Sequence, residues 1–81
     1  MPGKIYHAAT YRYVQASPSA SWAIEHGLGG NGSAGVPVID VFVDYEGSLQ
    51  KIIPNTVTMV DANNVLIEFT TPYSGYAMIV V

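Results

Sequence analysis

The sequence contains no cysteine. That excludes a disulfide scaffold, a cysteine-ligated zinc or iron–sulfur site and a thiol nucleophile. Histidine is nearly as scarce: His7 and His26 are the only two, too few for a multi-histidine metal site within one chain. Charge is sparse as well. Lys4, Arg12 and Lys51 face six acidic residues, for a net charge of −3, and charged residues make up 11% of the chain, against about 25% in ordinary soluble proteins. Three scattered cations build no basic patch, which argues against nucleic acid as a partner. Long hydrophobic runs are also missing. The longest, residues 77–81, falls far short of the roughly 20 residues a membrane helix needs. No apolar stretch follows Met1-Pro-Gly-Lys-Ile-Tyr-His7, so no signal peptide is expected. The expected location is a cytoplasm, or something assembled there.

What is present points to a folded β domain. Eighty-one residues make one domain at most. Hydrophobic residues are 49% of the chain, a globular rather than a disordered proportion. With so few ions, the surface must be Ser, Thr, Asn, Gly and Tyr, a surface suited to facing other protein. A core of this size without disulfide or metal supplies only about 3–5 kcal/mol, and self-association is a common remedy.

Strand patterning runs through most of the chain. In Val38-Ile-Asp-Val-Phe-Val-Asp-Tyr45, residues Ile39, Val41, Val43 and Tyr45 share one face; Asp40, Phe42 and Asp44 share the other. Thr56-Val-Thr-Met-Val-Asp61 alternates, as does the run Val65, Ile67, Phe69. Tyr76-Ala-Met-Ile-Val-Val81 is a nearly continuous apolar strand, and Tyr6 to Val14 reads as another. Turn signals separate these runs at Glu46-Gly47, Pro54-Asn55, Asn63-Asn64 and Pro72-Tyr-Ser-Gly75. The Asn63-Asn64 pair suits a tight hairpin because Asn tolerates positive φ. The prediction is an all-β fold: a small sandwich, Ig-like or similar, of about seven short antiparallel strands.

Two segments need separate treatment. Residues 17–27 fit a helix capped by Ser17 with Pro18 at its first position. They fit equally a strand with Trp22, Ile24 and His26 on one face; the all-β surroundings favour the strand. Gly27 to Gly35 holds five glycines, Gly27, Gly29, Gly30, Gly32 and Gly35, and reads as a long mobile loop.

Chemistry-bearing motifs are weak. Gly27-x-Gly29-x-x-Gly32 has dinucleotide-binding spacing, but Pro37 and a strand follow it where that motif needs a helix. Asp40 and Asp44 lie about 13 Å apart along a strand, too far for a paired acid–base site. No nucleophile elbow accompanies His26, which reads as a structural histidine; a ring of His26 about an oligomer axis is the one metal arrangement left open. No catalytic set, metal or cofactor is therefore expected. The core is assigned to Trp22, Ile24, Val41, Val43, Val57, Val65, Ile67 and Phe69, with Phe42 a further aromatic member. Tyr6, Tyr11, Tyr13, Tyr73 and Tyr76 are candidate interface residues, since tyrosine is flat and amphipathic.

From about Gln15 onward the order of residues resembles a small module found in tail, fibre and virion-associated proteins of tailed bacteriophages. The matching pieces are Ser19-Ala-Ser-Trp22-Ala-Ile24-Glu-His26-Gly-Leu28-Gly29, Pro37, Asp44-Tyr-Glu-Gly47, Pro54 and Asp61. They continue through Asn63-Asn64, Val65-Leu-Ile67-Glu-Phe69 and Pro72-Tyr-Ser74-Gly75-Tyr-Ala77. The glycine loop is longer than the pattern has, and residues 1–14 lie outside it. The resemblance implies a small all-β sandwich, residues 15–81, and a structural role in the virion. Residues 1–14 would then be an arm or edge strand that adds to a neighbouring subunit.

The chain reads as an entire small protein rather than the end of a fibre. That favours a capsid decoration (cement) protein acting as an oligomer, expected to be a homotrimer, against major capsid or tail proteins. The alternative is a tail, baseplate or fibre-tip module that binds host surface glycan through its tyrosines, Tyr73 and Tyr76 among them, and the glycine loop. Neither reading involves a membrane, nucleic acid or catalysis.

Overall fold

A computed structural model describes residues 10–29 and 37–80. The protein is all-β and contains no helix among these residues. Five strands, β1 (Thr10–Glu25), β2 (Val38–Tyr45), β3 (Ser48–Ile52), β4 (Thr56–Asp61) and β5 (Asn64–Val80), form one antiparallel sheet.

The long strand β5 is the spine. Along one side it pairs with β1 over nearly its whole length, from Glu25↔Asn64 to Thr10↔Val80. Along the other it pairs first with β4, as in Val57↔Ile67, and then with β2, as in Val41↔Ala77. β3 adds to the far side of β2, with Val41 opposite Ile52 and Tyr45 opposite Ser48. β1, β3 and β4 therefore each leave one edge without a ladder partner among the described residues.

Five strands replace the expected seven because two breaks in the sequence are not strand ends. Pro18 lies inside β1, where the register shifts between Gln15 and Ser19 and again between Ser19 and Ser21. Pro72 and Gly75 lie inside β5. Proline lacks an N–H and is tolerated on an edge or at a bulge; β1 is such an edge. The serines satisfy backbone groups that the bulges release. Ser19 Oγ donates to Ser21 O (2.8 Å) and accepts from Ser21 N–H (3.2 Å). The segment open to a helix reading is thus a strand, with Trp22 and Ile24 buried and Ser21, Ala23 and Glu25 exposed.

The bulges also switch which residues face inward. Inner-face residues are odd in β5, β2 and the first half of β1, but even in β1 after the bulges, because Tyr13 pairs with Ala77 while Trp22 pairs with Ile67. On this one face Trp22, Ile24, Val41, Val43, Val65, Ile67, Phe69, Ala77 and Ile79 form a single buried cluster, with Tyr13, Leu28, Ile39, Ile52 and Tyr73 packed around it. Trp22 is its centre. Its ring lies 4.8 Å edge-on to Phe69 and 5.9 Å from Tyr13, and its indole N–H donates to the carbonyls of Ser19 and Tyr73, both at 3.1 Å.

Two core expectations are corrected. Val57 faces inward opposite Ile67, yet it is exposed because β4 is an edge strand with little over it. Phe42 faces outward between the core residues Val41 and Val43 and is only half-buried. The β2–β3 turn at Glu46-Gly47 has the two positive φ angles (52° and 83°) of a type I′ hairpin. The β4–β5 turn is not built as expected. It comprises Ala62-Asn63, neither residue has positive φ, and Asn64 already opens β5. What holds it is Asp61, whose carboxylate accepts from Asn63 N–H (2.8 Å) and from Asn64 Nδ2 (2.9 Å).

Candidate interaction surface

The outer face of the sheet carries the residues that the inner core leaves behind. Across β1, β5 and β2, one row is Val14, Tyr76 and Phe42; the next is Arg12, Met78 and Asp40. Phe42 and Tyr76 stack with centroids 5.0 Å apart, and the Arg12 guanidinium lies 4.6 Å from the Tyr76 ring centre. Val38 and Leu49 extend the apolar surface, and both are exposed, as is Val14. An ion pair on this face, Lys51 Nζ to Asp40 Oδ1 at 3.1 Å, is solvent-exposed and contributes at most about 1 kcal/mol.

The candidate tyrosines separate by position. Tyr76 is in the outer aromatic row. Tyr13 and Tyr73 are on the inner side against the core: Tyr73 stands edge-on to Phe69 at 5.5 Å, and Tyr13 donates its hydroxyl hydrogen bond to Gln15 Oε1. Tyr11, opposite Ile79, is at the exposed margin of the inner face. The structure therefore does not gather Tyr11, Tyr13, Tyr73 and Tyr76 on one surface. Tyr6 lies outside the described residues. Sequence reasoning missed Arg12, Val14, Val38 and Leu49 as members of the outer surface. Alternation along β2 put Phe42 opposite the core, and that was the available signal.

The start of the glycine segment is fastened to the β4–β5 turn. His26 N–H and Gly27 N–H both donate to Asn63 O, at 2.9 and 3.3 Å, and Gly29 N–H donates to Asn63 Oδ1 at 2.9 Å. Gly27 takes φ 66°, a left-handed conformation that glycine adopts without strain. Gly30, Gly32 and Gly35 lie outside the described residues. His26 is buried and accepts from Leu28 N–H at Nδ1 (3.0 Å), so its proton sits on Nε2, which has no hydrogen-bond partner among the described residues. Buried within its own chain, His26 is not presented to an oligomer axis. The Asp61 carboxyl is held below the ordinary carboxylate range, first by the Asn64 side chain and then by the Asn63 N–H.

A shallow pocket of about 200 Å³ opens at the end of the inner face, lined by Ile52, Pro54, Asn55, Phe69, Thr70 and Tyr73. It contains no acid, base or cation. Among the described residues no group of three or more His, Asp or Glu is placed to hold a metal ion, and no helix is long and apolar enough to cross a membrane. Residues Thr10–Val14, part of the segment expected to be an arm, pair with the chain's own β5; residues 1–9 lie outside the described residues.

Comparison with protein-family models, with curated proteins and with solved structures finds no match for this chain.

Proposed function

We propose that this protein is a structural subunit of a bacteriophage particle that works by assembly, most concretely as a capsid decoration protein. The observation that carries the assembly reading is the outer face. Val14 is exposed there beside the Phe42–Tyr76 stack, with exposed Leu49 in the next row and the charged residues Arg12, Asp40, Asp44 and Lys51 around them, and exposed apolar surface with a polar rim marks a protein contact. The order of motifs from Ser19 to Ala77 supports the particle reading, since it resembles that of phage tail, fibre and virion modules. Burial of uncharged surface between copies would stabilise the particle without any reaction. The sandwich expected of such modules belongs to the same proposal: β1 is bulged around Pro18, β5 contains Gly75, and the two halves of the inner face share one core.

The glycan alternative gains no support from the tyrosines assigned to it. Tyr73 packs on the core, and Tyr76 is engaged by Phe42 and Arg12, whereas a sugar platform needs a free ring face.

Quantitative mass spectrometry of purified particles, with the major capsid protein as reference, tests the proposal. A copy number approaching that of the capsid protein is the expected result. A handful of copies would move the protein to the tail or baseplate, and absence from the particle would overturn the reading.

A further inference from the structure

The outer edge of β1 is the longest unpaired strand edge among the described residues. It runs from Thr10 to Glu25 and hydrogen-bonds to β5 on its other side only. Such an edge is a template for another strand. Its only charged residues are Arg12 and Glu25, of opposite sign and near opposite ends. Both project from the outer face: Arg12 pairs with Met78, and Glu25 with Asn64, which are even positions on a spine whose odd positions face the core. We infer that the β1 edge takes a second copy of this chain, antiparallel about a two-fold axis, with Arg12 of each copy opposite Glu25 of the other. The inference rests on the assembly reading and names the partner and register.

Three features favour this register. First, an antiparallel pairing must match faces as well as charges, because a one-residue slip exchanges inside for outside. The bulges place odd residues inward before them and even residues inward after them. Pairing Arg12 with Glu25 then sets Tyr13 against Ile24 and Gln15 against Trp22 on the inner face, and Val14 against Ala23 on the outer face. The faces agree throughout.

Second, the two-fold axis falls between Pro18 and Ser19, inside the bulged region. Proline and bulges blunt an edge, and here they blunt its centre alone, leaving a short regular ladder on each side. Third, Val14 is 61% exposed in the isolated chain. Ala23 of the other copy would lie across it, extending the apolar outer face from one copy to the next. An isologous contact of this kind uses the same patch on both partners and closes on itself.

The test is sedimentation velocity on the full chain and three variants, Arg12→Glu, Glu25→Arg and the double reversal. Each single reversal sets like charges opposite one another twice in the dimer, and should weaken association about tenfold. The double reversal restores opposite charges and should return the dissociation constant to within about threefold of the original.

A wild-type chain that stays monomeric at its highest soluble concentration overturns both this pairing and self-assembly. An oligomer indifferent to the single reversals overturns the pairing and leaves assembly through another face. A second variant guards against misfolding of the first set. Val14→Cys with Ala23→Cys, in a protein with no cysteine of its own, should oxidise to a covalent dimer. Failure to cross-link while the fold is retained also overturns the register.

Discussion

Trp22 concentrates more of the fold than any other side chain. It is fully buried, touches aromatic residues of both β1 and β5, and ties the bulge at Ser19 to Tyr73 through one indole N–H. Replacing it by Phe retains much of the volume but leaves the carbonyls of Ser19 and Tyr73 without that donor. Trp22→Phe should cost about 1–3 kcal/mol, and Trp22→Ala about 3–5 kcal/mol. Urea titration followed by circular dichroism measures both, and the second is comparable to the whole stability of a domain this small.

Gly75 carries a different constraint. A Cβ there would lie 2.0 Å from the Phe42 carbonyl oxygen and 2.8 Å from Val43 Cα, and its φ of 153° is one that other residues rarely adopt. Gly75→Ala must push β2 away from β5. It should lower stability by about 1–3 kcal/mol, read in the same titration. Amide exchange should rise in β2 and β3 before it rises in β4. Equal loosening of β4 would contradict this account.

At the level of elements, the turns illustrate how different chemistries close similar connections. Glu46-Gly47 is legible as a turn because glycine follows a strand of alternating residues, and the hairpin uses the positive φ that such a pair supplies. The β4–β5 turn is legible only as a location. Its conformation is set by the Asp61 carboxylate, which gathers the Asn63 N–H and the Asn64 amide. Hydrogen bonds to the charged form depress the Asp61 pKa. A depressed carboxyl stabilises the fold above its unfolded pKa, and that contribution is lost as pH falls through the folded value. Asp61→Ala should therefore lower Tm at pH 7. The difference between variant and wild type should shrink as pH drops below the ordinary carboxylate range. A gap that stays constant down to pH 2 would place the effect elsewhere.

The long strands were less legible. Pro18 and Pro72 look like boundaries in one dimension, since proline removes a ladder donor. In β1 it is tolerated because the strand is an edge and is bulged at that point. Strand type and facing were readable for residues 39–43 and 65–69, where alternation is strict; at residues 22–24 the local pattern suited a helix equally, and only the all-β surroundings favoured the strand. Val57 alternates just as well and is still exposed, because alternation reports a face and not whether anything covers it.

For the whole molecule, the small charge count leaves little to direct association except shape, apolar area and strand edges. The candidate surface was partly legible. Tyrosine-rich composition pointed to contacts, but the tyrosines divide between the core side and the outer face, and the exposed apolar residues of that face also include Val14, Val38 and Leu49. No ordering of residues along the chain could show that Arg12, Tyr76 and Phe42 are neighbours, since they come from three strands brought together by the register of β5.

The amino-acid sequence by itself determined the all-β class, most of the inner-face residues and the Glu46-Gly47 turn. These depend on local alternation and backbone preference, which act over a few residues. Tertiary structure alone decided that two apparent pairs of strands are single continuous ones, that β5 is the spine, and that the outer edge of β1 has no strand partner among the described residues. Those outcomes depend on hydrogen-bond partners far apart in the chain. A proline or a valine has no fixed meaning until it is known whether its strand lies at an edge or at the centre.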